Sequence, residues 1–176
     1  FTNTSGPVVV PSGSCTDMIV HHYPELLKSD PVYSSKAKKL SDRTYEFTQF
    51  LVDKLGLTNV GAKYNGNATY HPCCHGLRNL NLVQQPSTLL DNVEDLEQVV
   101  LPCAEECCGF GGLFSIRMSE ISGAMLDKKL SHVEETGANV LIAGDVGCII
   151  HMQGGLRRRG SNIQVKHIAE ILNGCD

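Results

Sequence analysis

The chain has 176 residues, a length that suits one domain or two small halves sharing a core. Hydrophobic residues make up 41% of the sequence and charged residues 19%, a composition typical of globular proteins that excludes a disordered chain. No apolar run reaches the roughly 18 residues that a membrane-spanning helix needs, so we expect no transmembrane segment. The net charge of −4 excludes the strongly basic surface of nucleic-acid-binding proteins.

Predicted strands and helices alternate along the chain. Residues 7–10 predict a first strand, and Thr16 can cap a helix that runs to Leu27. From Ser34 or Ser35 onward, apolar residues at helical spacing through residue 51 predict one longer helix with a buried face. The later predicted strands cover residues 68–71, 96–101, 140–143 and 163–165, and the later helices begin near residues 75, 86, 119, 148 and 167. This alternation predicts an α/β fold, a three-layer sandwich with a mainly parallel sheet.

Two segments of the chain resemble each other. Residues 8–15 (VVVPSGSC) match residues 141–148 (LIAGDVGC), since each combines a buried strand, a turn of small residues and a cysteine at the mouth of a helix. We interpret the match as a duplicated βα unit. Cys15 is then the final cysteine of a first unit whose earlier cysteines lie outside this chain.

Eight cysteines are many for this length, and four of them form adjacent pairs, Cys73-Cys74 and Cys107-Cys108. Adjacent cysteines can bond to each other only through a strained ring, so the pattern disfavours structural disulfides. It favours metal-bound thiolates in a reducing compartment. Since no charged start followed by an apolar segment marks a signal peptide, we expect a cytoplasmic protein.

Cys74, Cys107, Cys108 and Cys148 all follow predicted strands, in the loops or at helix starts. Because ligands of open parallel sheets bind beyond the carboxyl ends of the strands, we expect these thiols to meet at one edge. Thiolates of this kind hold iron–sulfur clusters. Adjacent cysteines chelate a single zinc ion poorly, because zinc sites more often use spaced pairs, but they can reach different irons of one cluster. Zinc remains a possible substitute.

A glycine-rich loop follows the second cysteine pair. Gly109, Gly111 and Gly112 allow the backbone to turn its N–H groups towards a negatively charged cluster, forming a nest. Hydrogen bonds from such groups to cluster sulfurs would raise the reduction potential. We therefore include Gly109 and Gly111 among the predicted cofactor-binding residues.

Three strings carry a specific resemblance: PSGSC at residues 11–15, YHPCCHGLR at residues 70–78 and CCGFGG at residues 107–112. With them the chain resembles the cysteine-rich CCG family of iron–sulfur proteins, and within it the lactate-utilisation protein A branch. The family carries two CCG repeats. Residues 1–60 would be the C-terminal remainder of the first repeat and residues 61–176 a complete second repeat.

The resemblance implies an electron-transfer subunit of a multi-protein oxidoreductase that oxidises L-lactate to pyruvate. Its partners would be other iron–sulfur and oxidoreductase subunits. A cluster of the 4Fe–4S type would be held by Cys74, Cys107, Cys108 and Cys148, and Cys15 would serve a first-repeat cluster if that repeat were complete. No glycine-rich dinucleotide or phosphate loop is present, so we expect a partner to accept the hydride.

The chain departs from its relatives at Asp145, which stands where heterodisulfide reductase has a fifth cysteine. Asp145 could ligate iron weakly, hydrogen-bond a neighbour or leave an iron open. Cys73 and Cys103 are interpreted as spectator thiols, and Cys175 as an exposed free thiol. The histidines near the cysteines are interpreted as hydrogen-bonding residues at the edge of the site, although each could bind zinc: His71, His75 and His151.

Two other functions stay open. The first is a zinc-binding or metal-free interaction module, which would contain no acid-labile sulfide. The second is a disulfide-reducing protein that resembles the cysteine-rich component of heterodisulfide reductase and would turn over a disulfide substrate on its cluster.

Overall fold

The computed structural model of the protein describes residue 1 and residues 4–174. The strands are β1 (Val8–Val10), β2 (Thr44–Glu46), β3 (Lys63–His71), β4 (Glu94–Gln98), β5 (Val140–Ala143) and β6 (Gln164–His167). The helices are α1 (Gly13–Asp17), α2 (Tyr23–Leu26), α3 (Tyr33–Ser41), α4 (Phe47–Gln49), α5 (Gln84–Leu90), α6 (Leu113–Arg117), α7 (Ser119–Glu135), α8 (Val146–Arg158) and α9 (Ile168–Leu172). Single π-helical turns cover Met18–His22, Phe50–Lys54 and His75–Asn79.

The strands form two sheets, and every described pairing is parallel. The larger sheet has the order β4-β3-β5-β6, and β1 pairs with β2 in a separate two-stranded sheet. In the larger sheet His71 lies opposite Ala143, which lies opposite His167. The carboxyl ends of the three strands β3, β5 and β6 therefore stand level at one edge of the sheet.

Helices cover both faces of the larger sheet. Strand β5 shows this directly, because Val140 and Ile142 pack with α5 and α9, whereas Leu141 and Ala143 pack with α7 and α8. All four of these strand residues are buried, as expected for a parallel strand covered on both sides. The predicted three-layer α/β sandwich with parallel strands is confirmed, although the strands form two sheets and not one.

The single helix predicted from residue 34 to residue 51 is wrong. Helix α3 ends at Ser41, β2 follows, and Glu46 then caps α4 in a capping box with Gln49. The Thr44 hydroxyl donates to the carbonyl of Leu40 at 2.7 Å where α3 ends. Strand β1 needs a hydrogen-bonding neighbour, and pairing with β2 outweighs the local helical periodicity.

Other boundaries differ by a few residues. The first helix is capped by Ser12, which accepts from the Cys15 N–H, and the Thr16 hydroxyl instead donates to the Ser12 carbonyl at 2.7 Å. The strand expected at residues 96–101 lies at Glu94–Gln98. The predictions of β5 and of the long helix α7 are confirmed. None of the described helices is both long and apolar enough to cross a membrane.

The two segments with matching sequences also have matching local geometry. Ser12 and Asp145 are both extended N-cap residues, with φ −165° and ψ 123° for Ser12 and φ −145° and ψ 122° for Asp145. Cys15 and Cys148 each lie three residues further along, in the first turn of α1 and of α8. The duplication itself and the division at residue 60 stay predictions.

Candidate metal centre

The carboxyl ends of β3 and β5 position one side of the site. The chain leaves β3 at His71, passes Pro72 and places Cys73 and Cys74 directly beyond the sheet edge. After β5, a short turn leads into α8, whose first turn carries Cys148. The loop after β4 brings the Cys107-Cys108 pair to the same edge.

The thiols of the four predicted ligands converge, as the sequence predicts. Neighbouring thiols lie close enough to shift one another's pKa, in the order Cys74–Cys107–Cys108–Cys148. Cys73, interpreted as a spectator, extends this chain because its thiol contacts that of Cys148. We call these five residues the thiol chain. None of the described cysteines forms a disulfide.

The pKa values of Cys74, Cys107 and Cys108 are shifted in different directions. Hydrogen bonds from Cys108 and Cys74 and from the Gly109 N–H stabilise a thiolate at Cys107 and hold its pKa well below the usual range. The pKa of Cys74 and of Cys108 is raised, because each donates to a neighbouring sulfur and each is partly desolvated. The Cys107 thiolate thus lies beside two thiols whose pKa is raised, and a bound metal cation would favour deprotonation of those thiols as well.

The glycine-rich loop supplies backbone donors to the sulfurs. The Gly109 N–H donates to Cys107 Sγ at 3.3 Å, and the Phe110 N–H donates to Cys108 Sγ. Gly109 has φ +88°, and a Cβ there would lie 2.6 Å from the carbonyl oxygen of Ser122. Only glycine fits this backbone position. Gly111, with φ +50°, continues the turn against the side chain of Phe114.

His71 is the site residue that sequence reasoning placed wrongly, since it was expected at the site edge with hydrogen-bond partners. Its side chain is fully buried, and neither ring nitrogen has a partner among the residues that the structure describes. Burial and the nearby Lys129 ammonium lower the pKa of His71 to about 4, so the imidazole is neutral. A ring nitrogen of His71 and the Cys108 and Cys148 sulfurs all lie within 4.8 Å of one another.

Lys129 lies fully buried on α7 behind the loop. Its ammonium donates to the backbone carbonyls of Cys103 at 2.8 Å and Ala104 at 3.1 Å. Burial lowers the pKa of Lys129, whereas the nearby Glu106 carboxylate favours its charged form. It both anchors the segment before Cys107 and supplies positive charge near the site.

Asp145 acts as a hydrogen-bond acceptor, one of the roles considered from the sequence. It caps α8 by accepting from the Gly147 N–H at 3.1 Å. Its other oxygen accepts from the Ser14 N–H at 2.9 Å and from the Ser12 hydroxyl at 3.1 Å. Burial would raise the pKa of Asp145, but these hydrogen bonds lower it below the usual value. The carboxylate thus ties the Cys15 turn to the Cys148 turn; whether it also ligates a metal stays a prediction.

A cleft of about 670 Å³ opens beside the thiol chain. Cys15 lies on its wall with the thiol chain, although it was expected to serve a separate first-repeat cluster. Cys103 does not line the cleft, and its thiol lies instead near Glu106 and His132. Cys175 lies outside the described residues.

The two other histidines are engaged at the margins of the cleft. His75 Nδ1 bonds to the buried Asp17 carboxylate at 2.7 Å, and Asp17 also bonds to His21 Nδ1 at 2.7 Å. The His151 ring lies 5.8 Å from the Phe110 ring, centroid to centroid. These two histidines match the edge position expected from the sequence.

Comparison with known proteins agrees with this site. Residues 68–153, which contain the thiol chain, match the CCG cysteine-rich domain. The chain is 52% identical to Lactate utilization protein A of Bacillus pumilus, over 97% of this chain and 71% of that protein. It is 52% identical to the protein of that name from Lysinibacillus sphaericus, over 94% of this chain and 72% of the relative. It is 51% identical to the protein of that name from Macrococcus caseolyticus, over 94% of this chain and 67% of the relative.

These identities extend over nearly the whole chain and about two thirds or more of each relative. The matched part includes every cysteine of the thiol chain and the glycine-rich loop. The chain therefore belongs to the lactate utilization protein A family of proteins with a CCG cysteine-rich domain.

Proposed function

We propose that this protein is the iron–sulfur electron-transfer subunit of a multi-protein oxidoreductase that oxidises L-lactate to pyruvate. Cys74, Cys107, Cys108 and Cys148 would hold the cluster. The observation that carries the proposal is the thiol chain, in which sulfurs from three separate stretches of sequence meet beside backbone N–H donors. The role in lactate use rests on the family.

The donor set suits an iron–sulfur cluster better than a single ion. A structural zinc ion takes four donors, whereas the thiol chain and His71 together offer more. The cleft of about 670 Å³ leaves room for a group larger than one ion. When bound, such a cluster would supply one-electron chemistry.

The residues of this chain would tune the centre. The Gly109 and Phe110 N–H groups already point at cysteine sulfurs, where they stabilise negative charge. The buried Lys129 adds a positive charge within electrostatic range of Cys74 and Cys108. Both effects favour the reduced form and therefore raise the reduction potential.

The stoichiometry of lactate oxidation defines what a partner must do. Conversion of lactate to pyruvate releases two electrons and two protons, so a one-electron carrier must act twice per turnover. The sequence contains no dinucleotide-binding fingerprint. A partner protein would accept the electron pair from lactate, and this protein would pass the electrons on singly.

The proposal is tested by anaerobic preparation, iron and sulfide quantification, and EPR of the reduced protein. We expect iron and acid-labile sulfide in comparable amounts. Cys108→Ser should abolish or severely change the EPR signal, because Cys108 lies in the middle of the thiol chain. Cys103→Ser is the matched control, since Cys103 does not line the cleft, and its signal should equal that of the wild type.

The alternatives give different results in the same experiment. Zinc without sulfide under anaerobic conditions would contradict the proposal and identify a zinc-binding module. The Cys107 thiolate at an open cleft is the observation that favours disulfide reduction. Single-turnover reduction of a disulfide by the reduced protein would then identify a disulfide-reducing protein.

A further inference from the structure

His71 combines complete burial with unsatisfied ring nitrogens. The residue is 0% exposed, and no described residue bonds to Nδ1 or Nε2. Buried polar groups in folded proteins nearly always have a partner, because leaving one unsatisfied costs its full desolvation energy. An imidazole with both nitrogens unsatisfied therefore indicates a partner that is not a protein atom.

The backbone fixes the direction of this side chain. His71 is the last residue of β3, in register with Ala143 of β5, so it lies inside the sheet edge and not on a mobile loop. Its ring nitrogen lies within 4.8 Å of the sulfurs of both Cys108 and Cys148, and those sulfurs lie within 4.8 Å of each other. Donors bound to one tetrahedral ion are separated by roughly 3.5–4 Å, as zinc bond lengths imply. A shift of about 1 Å would place all three around a single metal atom.

Metals bind an imidazole through the lone pair of a ring nitrogen, and neither ring nitrogen of His71 has a hydrogen-bond partner among the described residues.

We propose that His71 binds, through one ring nitrogen, the same metal atom as Cys108 and Cys148, so that the centre has mixed imidazole and thiolate ligands. This inference rests on the proposed iron–sulfur function. It adds an imidazole ligand from the end of β3 to the thiolates that the proposed function already assigns. A neutral ligand in place of a thiolate lowers the negative charge of the centre and raises its reduction potential.

The test uses protein labelled with ¹⁵N-histidine, prepared anaerobically and compared with unlabelled protein by pulsed EPR. Nitrogen bonded directly to a paramagnetic metal couples to the electron spin far more strongly than nitrogen in a hydrogen bond. We expect a strong nitrogen coupling that changes with the isotope in the wild type. His71→Cys should retain the cluster, lose this coupling and lower the reduction potential. His151→Gln, a control at the cleft margin, should keep the coupling.

The possible outcomes distinguish failure of the His71 proposal from failure of the proposed iron–sulfur function. A wild-type cluster without strong histidine coupling overturns the role of His71 and leaves the proposed function intact. A coupling that survives in His71→Cys also overturns it. A wild type that takes up no iron and sulfide contradicts the proposed function itself. The labelled wild type alone decides the question if His71→Cys fails to fold.

Discussion

Replacing Gly109 by alanine tests the glycine-rich loop by steric means. Gly109 has φ +88°, and a Cβ would lie 2.6 Å from the Ser122 carbonyl oxygen and 3.1 Å from Met125 Cβ. The positive φ costs an L residue about 1–2 kcal/mol. Forcing an extra methyl group into packed surroundings adds about 1–3 kcal/mol. The free energy of unfolding should therefore fall by about 2–5 kcal/mol.

Gly160→Ala is the matched control for this prediction. Gly160, which follows the C-cap of α8, also has a positive φ, +70°, but a Cβ there meets no atom within 4 Å. In this variant the free energy of unfolding should fall only by the cost of the positive φ, about 1–2 kcal/mol. The difference between the two variants then isolates the contact of the loop with α7.

Thermal unfolding followed by far-UV circular dichroism measures this difference. For a chain of this size, 1 kcal/mol corresponds to about 2–4 °C, so the Tm values of the two variants should differ by roughly 2–12 °C. Because the added methyl group also displaces the N–H that donates to Cys107 Sγ, Gly109→Ala should hold less iron and sulfide than the wild type. Equal Tm values for the two variants would refute the proposed close approach of Gly109 to Ser122.

Two acidic residues give further predictions. Asp145→Asn removes the negative charge that accepts a hydrogen bond from the Ser14 N–H, and it should lower the free energy of unfolding by about 1–3 kcal/mol. Urea titration measures this change. An unchanged urea midpoint would contradict a stabilising link between the Cys15 turn and the Cys148 turn. Burial opposes ionisation of the Asp17 carboxyl, but hydrogen bonds with His21 and His75 outweigh it and lower its pKa to about 2. Its folded pKa lies below the usual 3.8, so its stabilisation is complete above about pH 4 and is lost as the pH falls towards 2. Asp17→Asn should flatten the acid-unfolding curve in that window, and an unaltered curve would contradict this.

Local pattern and strand topology predicted much of the site. Four apolar residues in a row identify Val140–Ala143 as a strand buried on both faces, which it is. Because parallel strands end at the same edge, the approximate position of Cys74 and Cys148 was sufficient to bring their thiols to the Cys107-Cys108 pair. Errors of a few residues in the strand boundaries did not affect this result.

The α/β class, the long helix α7 and the meeting of the thiols could thus be predicted from the amino-acid order, since they follow from local periodicity and the direction of parallel strands. The strand at residues 44–46 could not, because its pairing with β1 joins residues distant in sequence. The three-dimensional packing alone buries both ring nitrogens of His71 and turns the Asp145 carboxylate towards Ser12 and Ser14. Burial and hydrogen-bond partners depend on which segments cover a residue in space, and no spacing along the chain records that.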